Sequence, residues 1–160
     1  MKKAFGKVRV SSALFSAGLL IAAQAIKADD AAIVKFPQDI SFKDTAEGVQ
    51  VAVLYGDPSK PGLYVVRLKL PAGTKVAAHT HPEEVRTLTV LSGTLYFGFG
   101  DRFDDSKLMP YPAGTFFSEV PNVPHFVAAK DGEVIFQATG IGPSALMPHI
   151  IRQSDAHAES

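Results

Sequence analysis

The sequence predicts an all-β protein, an antiparallel sandwich or barrel, and three observations predict it. Apolar and polar residues alternate with period two over most of the chain from residue 49 onward. Turn chemistry interrupts the alternation at short, regular intervals, and helical periodicity is nearly absent. With 160 residues there is room for one domain and no second. Apolar residues at 46% and charged residues at 20% place the chain among globular proteins and exclude wholesale disorder. The lack of cysteine excludes a disulfide scaffold, thiol catalysis and thiolate metal sites.

The elements follow in chain order. Lys2, Lys3, Lys7 and Arg9 precede the apolar run Ala13–Ala23, and Ala23-Gln24-Ala25 offers a small-residue cleavage site, with Ile26-Lys27-Ala28 as a second. A basic start, a short apolar stretch and small residues spell a bacterial signal peptide over residues 1–25, so a periplasmic or secreted location is expected. The apolar run is short for a membrane span and meets Asp29-Asp30, so no stable membrane insertion is expected after cleavage. Removing four basic residues leaves 12 against 16 acidic ones, a net −4, which argues against a nucleic-acid partner.

Residues 26–45 read as an N-terminal strand or arm, 46–152 as the β-barrel domain and 153–160 as a frayed tail. In Leu63–Leu70 the positions Tyr64, Val66, Leu68 and Leu70 share one face, while Arg67 and Lys69 lie on the other. Val49–Tyr55 alternates likewise, and shorter β-prone runs cover 88–91, 94–99, 115–119, 126–129 and 133–138. Gly56-Asp57-Pro58, Pro71-Ala72-Gly73, Ser92-Gly93, Pro112-Ala113-Gly114 and Asp131-Gly132 supply the turns. Asp101–Lys107 breaks the pattern as a charged loop with room for one helical turn. No hydrolase-type Ser/His/Asp spacing is visible, and Gly98-Phe99-Gly100 lacks the helix that a phosphate loop requires.

Five histidines remain to be placed. His79 and His81, two apart in a run of β character, point to the same face, and His125 sits where a turn enters a strand. Two imidazoles at i and i+2 with a third distant one make a candidate site for a transition metal, or two exposed histidines on an edge. His149 and His157 read as surface residues.

The surrounding residues point further. Gly73, five residues, His79-Thr80-His81 and then Gly93 resemble the first motif of the cupin family. Gly114, five residues and Val120–His125 resemble the second, at a spacing the family allows. The resemblance spans Gly73 to Ala129 and implies a cupin-like jelly-roll barrel with His79, His81 and His125 as ligands of one divalent metal ion (Fe, Cu, Mn, Ni or Zn). The departures are as informative. Arg86 stands where the family has its ligand Glu, and Val120, Asn122 and Ala129 replace the Pro, Gly and Asn of the second motif. Asn122 is a tolerable substitute because asparagine enters the left-handed region.

Glu84 is the candidate fourth ligand, sharing strand parity with Arg86. Arg86 itself needs compensation. About 5 Å from a divalent ion, at an effective dielectric of about 20, the repulsion is about 7 kcal/mol. Three arrangements answer this: Arg86 turns away, pairs with Glu83 or Glu84, or holds an anionic substrate against the metal. What the resemblance implies about activity is either a metalloenzyme of dioxygenase, isomerase or lyase type acting on a small oxygenated molecule, or a non-catalytic module that binds a small molecule or metal. Apolar residues on both strand faces, among them Phe126, Val85 and Leu91, lead us to expect a homodimer.

Overall fold

The computed structural model describes residues 32–148. The predicted signal peptide, the 153–160 tail, His149 and His157 lie outside the described residues. Two antiparallel sheets face each other in a sandwich, as expected. The first runs in the order β1 (Lys43–Asp44), β2 (Gln50–Tyr55), β3 (Gly62–Leu70), β10 (Val134–Gly142), β5 (Arg86–Ser92), β8 (Phe116–Glu119). The second runs β11 (Met147–Pro148), β4 (Lys75–Thr80), β9 (His125–Ala128), β6 (Thr94–Phe99), β7 (Met109–Pro112). β1–β3 stay in the first sheet and β6–β7 in the second; at every other step from β3 to β11 the chain crosses between the sheets, in a jelly-roll manner. No helix among the described residues is long and apolar enough to cross a membrane.

The core is what the alternation dictates. Tyr64, Val66 and Leu70 of β3, Leu88 and Val90 of β5, Leu95 and Phe97 of β6 and Val134 and Phe136 of β10 are buried together between the sheets. Truncating one such leucine to alanine costs about 2–5 kcal/mol. On β2 the parity holds only in part. Val49 and Val51 face the interior, but Val53 and Tyr55 are exposed, with a register shift between them.

Three further differences have local causes. β7 is absent from the sequence reading because Pro110 and Pro112 argue against a strand; it is tolerated as the outermost strand of its sheet, where missing N–H groups break no ladder. β10 extends to Gly142 because it pairs with both β3 and β5. The charged loop carries a 3-10 turn at Asp105–Lys107, capped by Asp104. That loop also answers part of the dimer argument: Phe126 is fully buried within its own chain, against Phe103 and over Gly98, whose missing Cβ makes the room.

One irregularity positions the site. His79 pairs with His125 and Val76 with Val127, so three residues of β4 span what two residues of β9 span. This bulge flips the parity of β4. Val76 faces the interior before it, and His79 and His81 face the interior after it.

Candidate metal centre

The three predicted histidines meet. One ring nitrogen from each of His79, His81 and His125 lies within 4.8 Å of the others, and all three residues are buried. β4 and its continuation carry the first two; β9 carries the third. Asn122 holds the turn before β9 at a φ of 59°, the left-handed conformation expected of it, and its N–H donates to the His81 carbonyl at 2.8 Å.

Each imidazole is tied at its Nδ1. His79 bonds the Ala77 carbonyl at 2.8 Å, His81 the Ala145 carbonyl at 3.0 Å and His125 the Val123 carbonyl at 3.0 Å. A carbonyl only accepts, so each Nδ1 carries the proton and each Nε2 offers a lone pair. This is the outer-shell pattern of metal-binding histidines. The Phe97 ring stacks on His125 at 5.1 Å and fixes its plane. The His125 Nε2 is buried without a hydrogen-bond partner. A buried lone pair left unmatched is costly, and a metal ion removes the cost. The residues present therefore fit a metal, and the group could hold one.

The electrostatics agree. Burial pushes the His81 pKa down to about 2, helped by the Arg86 charge, and burial likewise lowers His79 and His125. All three are neutral at pH 7, the form a metal needs.

Glu84 is not at this centre. It is exposed in the turn between β4 and β5, on the solvent side, while its neighbour Glu83 is buried. The carboxylate beside the histidines is Glu119, the last residue of β8, which the sequence reading missed. Its Oε1 lies 3.4 Å from His125 Nε2 and its Oε2 lies 3.9 Å from His81 Nε2. One signal pointed to it: Phe117 and Glu119 share parity, which puts an acid on an inward face.

Arg86 is buried and spends its donors inside the protein. Its Nε donates to Glu119 Oε2 at 2.7 Å and its Nη1 to the Tyr64 hydroxyl at 2.7 Å. Tyr64 in turn donates to Glu83 Oε1 at 2.7 Å, and Glu83 lies 3.5 Å from Arg86 Nη1. Arg86 pairs with an acid, but its main partner is Glu119 and not the expected Glu83 or Glu84; Glu83 lies farther off at 3.5 Å and Glu84 is exposed. Burial works against its charge, but Glu119, Tyr64 and Glu83 together raise its pKa. Burial in turn raises the Glu119 pKa, against the pull of Arg86.

These polar groups close one end of a cavity of about 240 Å³. The remaining wall is mostly apolar, including Val49, Val66, Leu88, Leu95, Phe97 and Phe136, with Thr45, Glu47 and Ser144 as its polar members. A space of this size takes a small molecule, with a chelating end at the histidines and an apolar end in the barrel.

The family described as the ChrR cupin-like domain matches residues 30–142. The chain belongs to that family. No curated protein matches it in sequence. Solved cupin folds lie close to it. An RmlC-like cupin from Shewanella frigidimarina shares 18% identity over 78% of this chain and 96% of its own, at a TM-score of 0.54. The polyketide cyclase RemF from Streptomyces resistomycificus shares 12% over 75% and 87%, at 0.62. The anti-sigma ChrR from Rhodobacter sphaeroides, solved in complex with SigE, shares 20% over 66% of this chain and 50% of that structure's chain, at 0.51. At these identities the likeness is one of fold. It spans a cyclase and a regulator, so the cupin scaffold alone does not choose a function.

Proposed function

We propose that this cupin is a metal-dependent protein that binds a small, partly apolar oxygenated molecule at a His79–His81–His125 centre, and that it acts on that molecule as an enzyme of dioxygenase, isomerase or lyase type. The observation that carries the metal is the buried, unpartnered His125 Nε2 among three imidazoles whose Nδ1 atoms are held by backbone carbonyls. A bound divalent ion would polarise a ligand oxygen as a Lewis acid. The chain's own contribution is position and exclusion. The Nδ1 anchors set the imidazoles, the apolar wall excludes water from the ligand body, and Arg86 balances the buried acids.

An anionic ligand is less favoured than Arg86 alone suggests, because two of its five donors already go to Glu119 and Tyr64. The same observation supports a second reading, a non-catalytic small-molecule or metal-binding module. Glu119, the nearest carboxylate, gives one oxygen, Oε2, to Arg86. Elemental analysis of the purified protein beside its His79→Ala variant tests the metal. Turnover against a panel of diketones and phenols, with O₂ uptake, then separates enzyme from module. Wild type without stoichiometric metal sinks both metal-dependent readings. Bound metal and a micromolar ligand without turnover select the module.

Export to the periplasm or outside and self-association as a dimer belong to the same proposal. Support for the dimer is a contiguous apolar patch: Leu63 pairs with Ile141, the Ile141 N–H meets the Val85 carbonyl, and all three side chains are about half exposed.

A further inference from the structure

We infer that Glu119 completes the metal centre as a fourth protein ligand, delivered from the sheet opposite the histidines and held in place by a cross-strand row. The inference rests on the three-His metal reading and names a ligand that reading does not contain.

Three observations carry it. The first is spacing. Ligands about 2.0–2.2 Å from a shared tetrahedral ion stand about 3.3–3.6 Å apart. Glu119 Oε1 stands at that distance, 3.4 Å, from His125 Nε2, and the carboxylate's other oxygen is 3.9 Å from His81 Nε2, so the carboxylate approaches two of the three histidines. The second is a mismatch of acceptors. With its proton at Nδ1, His125 turns an Nε2 lone pair toward a carboxylate oxygen, and that nitrogen has no other partner. Two acceptors face to face repel unless a proton or a metal cation lies between them.

The third is how Glu119 is held. Tyr64, Gly140, Arg86 and Glu119 stand in one register row across β3, β10, β5 and β8. A Cβ at Gly140 would lie 2.6 Å from the Tyr64 hydroxyl, so its absence lets Tyr64 reach over β10 to Arg86. Arg86 then takes Glu119 Oε2 at its Nε and leaves Oε1 toward His125. Arg86 occupies the position at which the sequence motif expects an acidic ligand. The acid has moved to the residue paired with it, and the arginine acts as its positioning residue.

The test uses Zn²⁺ and Co²⁺ binding to metal-stripped protein, read by calorimetry and by the visible bands of the cobalt form. Glu119→Gln is expected to weaken Zn²⁺ by more than about 100-fold, beyond the roughly 10–100-fold cost of losing an outer-shell partner, and to change the cobalt bands. Because this variant leaves Arg86 short of a partner, Arg86→Gln with Glu119→Gln removes both charges at similar volume and must show the same loss. Glu84→Gln is expected to bind as wild type does. Wild-type affinity and wild-type cobalt bands in the double variant overturn the inference. If His79→Ala abolishes binding in the same series, the three-His reading stands without it. If wild type binds neither metal, both fall.

Discussion

Arg86 and Glu119 face each other across β5 and β8, and their 2.7 Å contact joins a buried cation to the carboxylate beside the histidines. Each is over nine-tenths buried, so neither charge is solvated. Breaking one side of such a pair costs about 3–5 kcal/mol. The two sides are not equivalent here. Arg86→Met takes the cation from both Glu119 and Glu83, the latter keeping only the Tyr64 hydroxyl, whereas Glu119→Gln leaves Arg86 beside Glu83 at 3.5 Å. Urea unfolding of metal-free protein should show the larger loss for Arg86→Met. Equal small losses, under about 1 kcal/mol, would mean the network does not stabilise the barrel.

Metal and stability should be linked through the histidines. An ion that binds only the folded state adds about 4 kcal/mol at a thousandfold excess over Kd. A chelator should lower the melting temperature of wild type and leave His79→Ala and His125→Ala unmoved. The same shift in all three proteins would detach the effect from these residues.

The metal-free protein should be acid-sensitive, with a sign that can be worked out. Burial holds His79, His81 and His125 below the ordinary value of 6.5. The unfolded chain therefore takes up protons first as pH falls. Stability is fully present above about pH 6.5 and is lost below it, by up to about 1.4 kcal/mol per pH unit for each histidine. For His81 the loss continues toward pH about 2. Glu119 opposes it, because its raised pKa lets the folded state bind that proton first. Three bases outweigh one acid, so unfolding midpoints between pH 7 and 5 should fall. A flat profile would contradict the buried, neutral assignment.

The apolar row of Leu63, Ile141 and Val85 predicts self-association. Light scattering at tens of micromolar should give a dimer for wild type, and Leu63→Glu should shift it to monomer. A wild-type monomer at that concentration would remove the dimer proposal.

Export predicts processing. The lysine-rich start and Ala23-Gln24-Ala25 should yield a mature protein shorter by about 25–28 residues in mass spectrometry of the exported fraction. Intact Met1 in the membrane fraction would contradict it.

The amino-acid sequence by itself determined the all-β class, the turns and the identity of the three histidines. Those features are local: strand alternation, Gly and Pro at turns, and two spaced motifs. It also determined that Asn122 could stand for glycine, since asparagine tolerates left-handed backbone. The tertiary structure decided the rest. Period-two parity places His79 and His81 on the same side as Lys75 and Ala77, away from Val76; only the bulge against β9 turns them inward. Glu84 was the nearest acid along the chain, but Glu119 is the nearest in space, 33 residues beyond Arg86. Which acid neutralises a buried arginine depends on strand register. Register is set by the packing of two whole sheets, and no local pattern carries it.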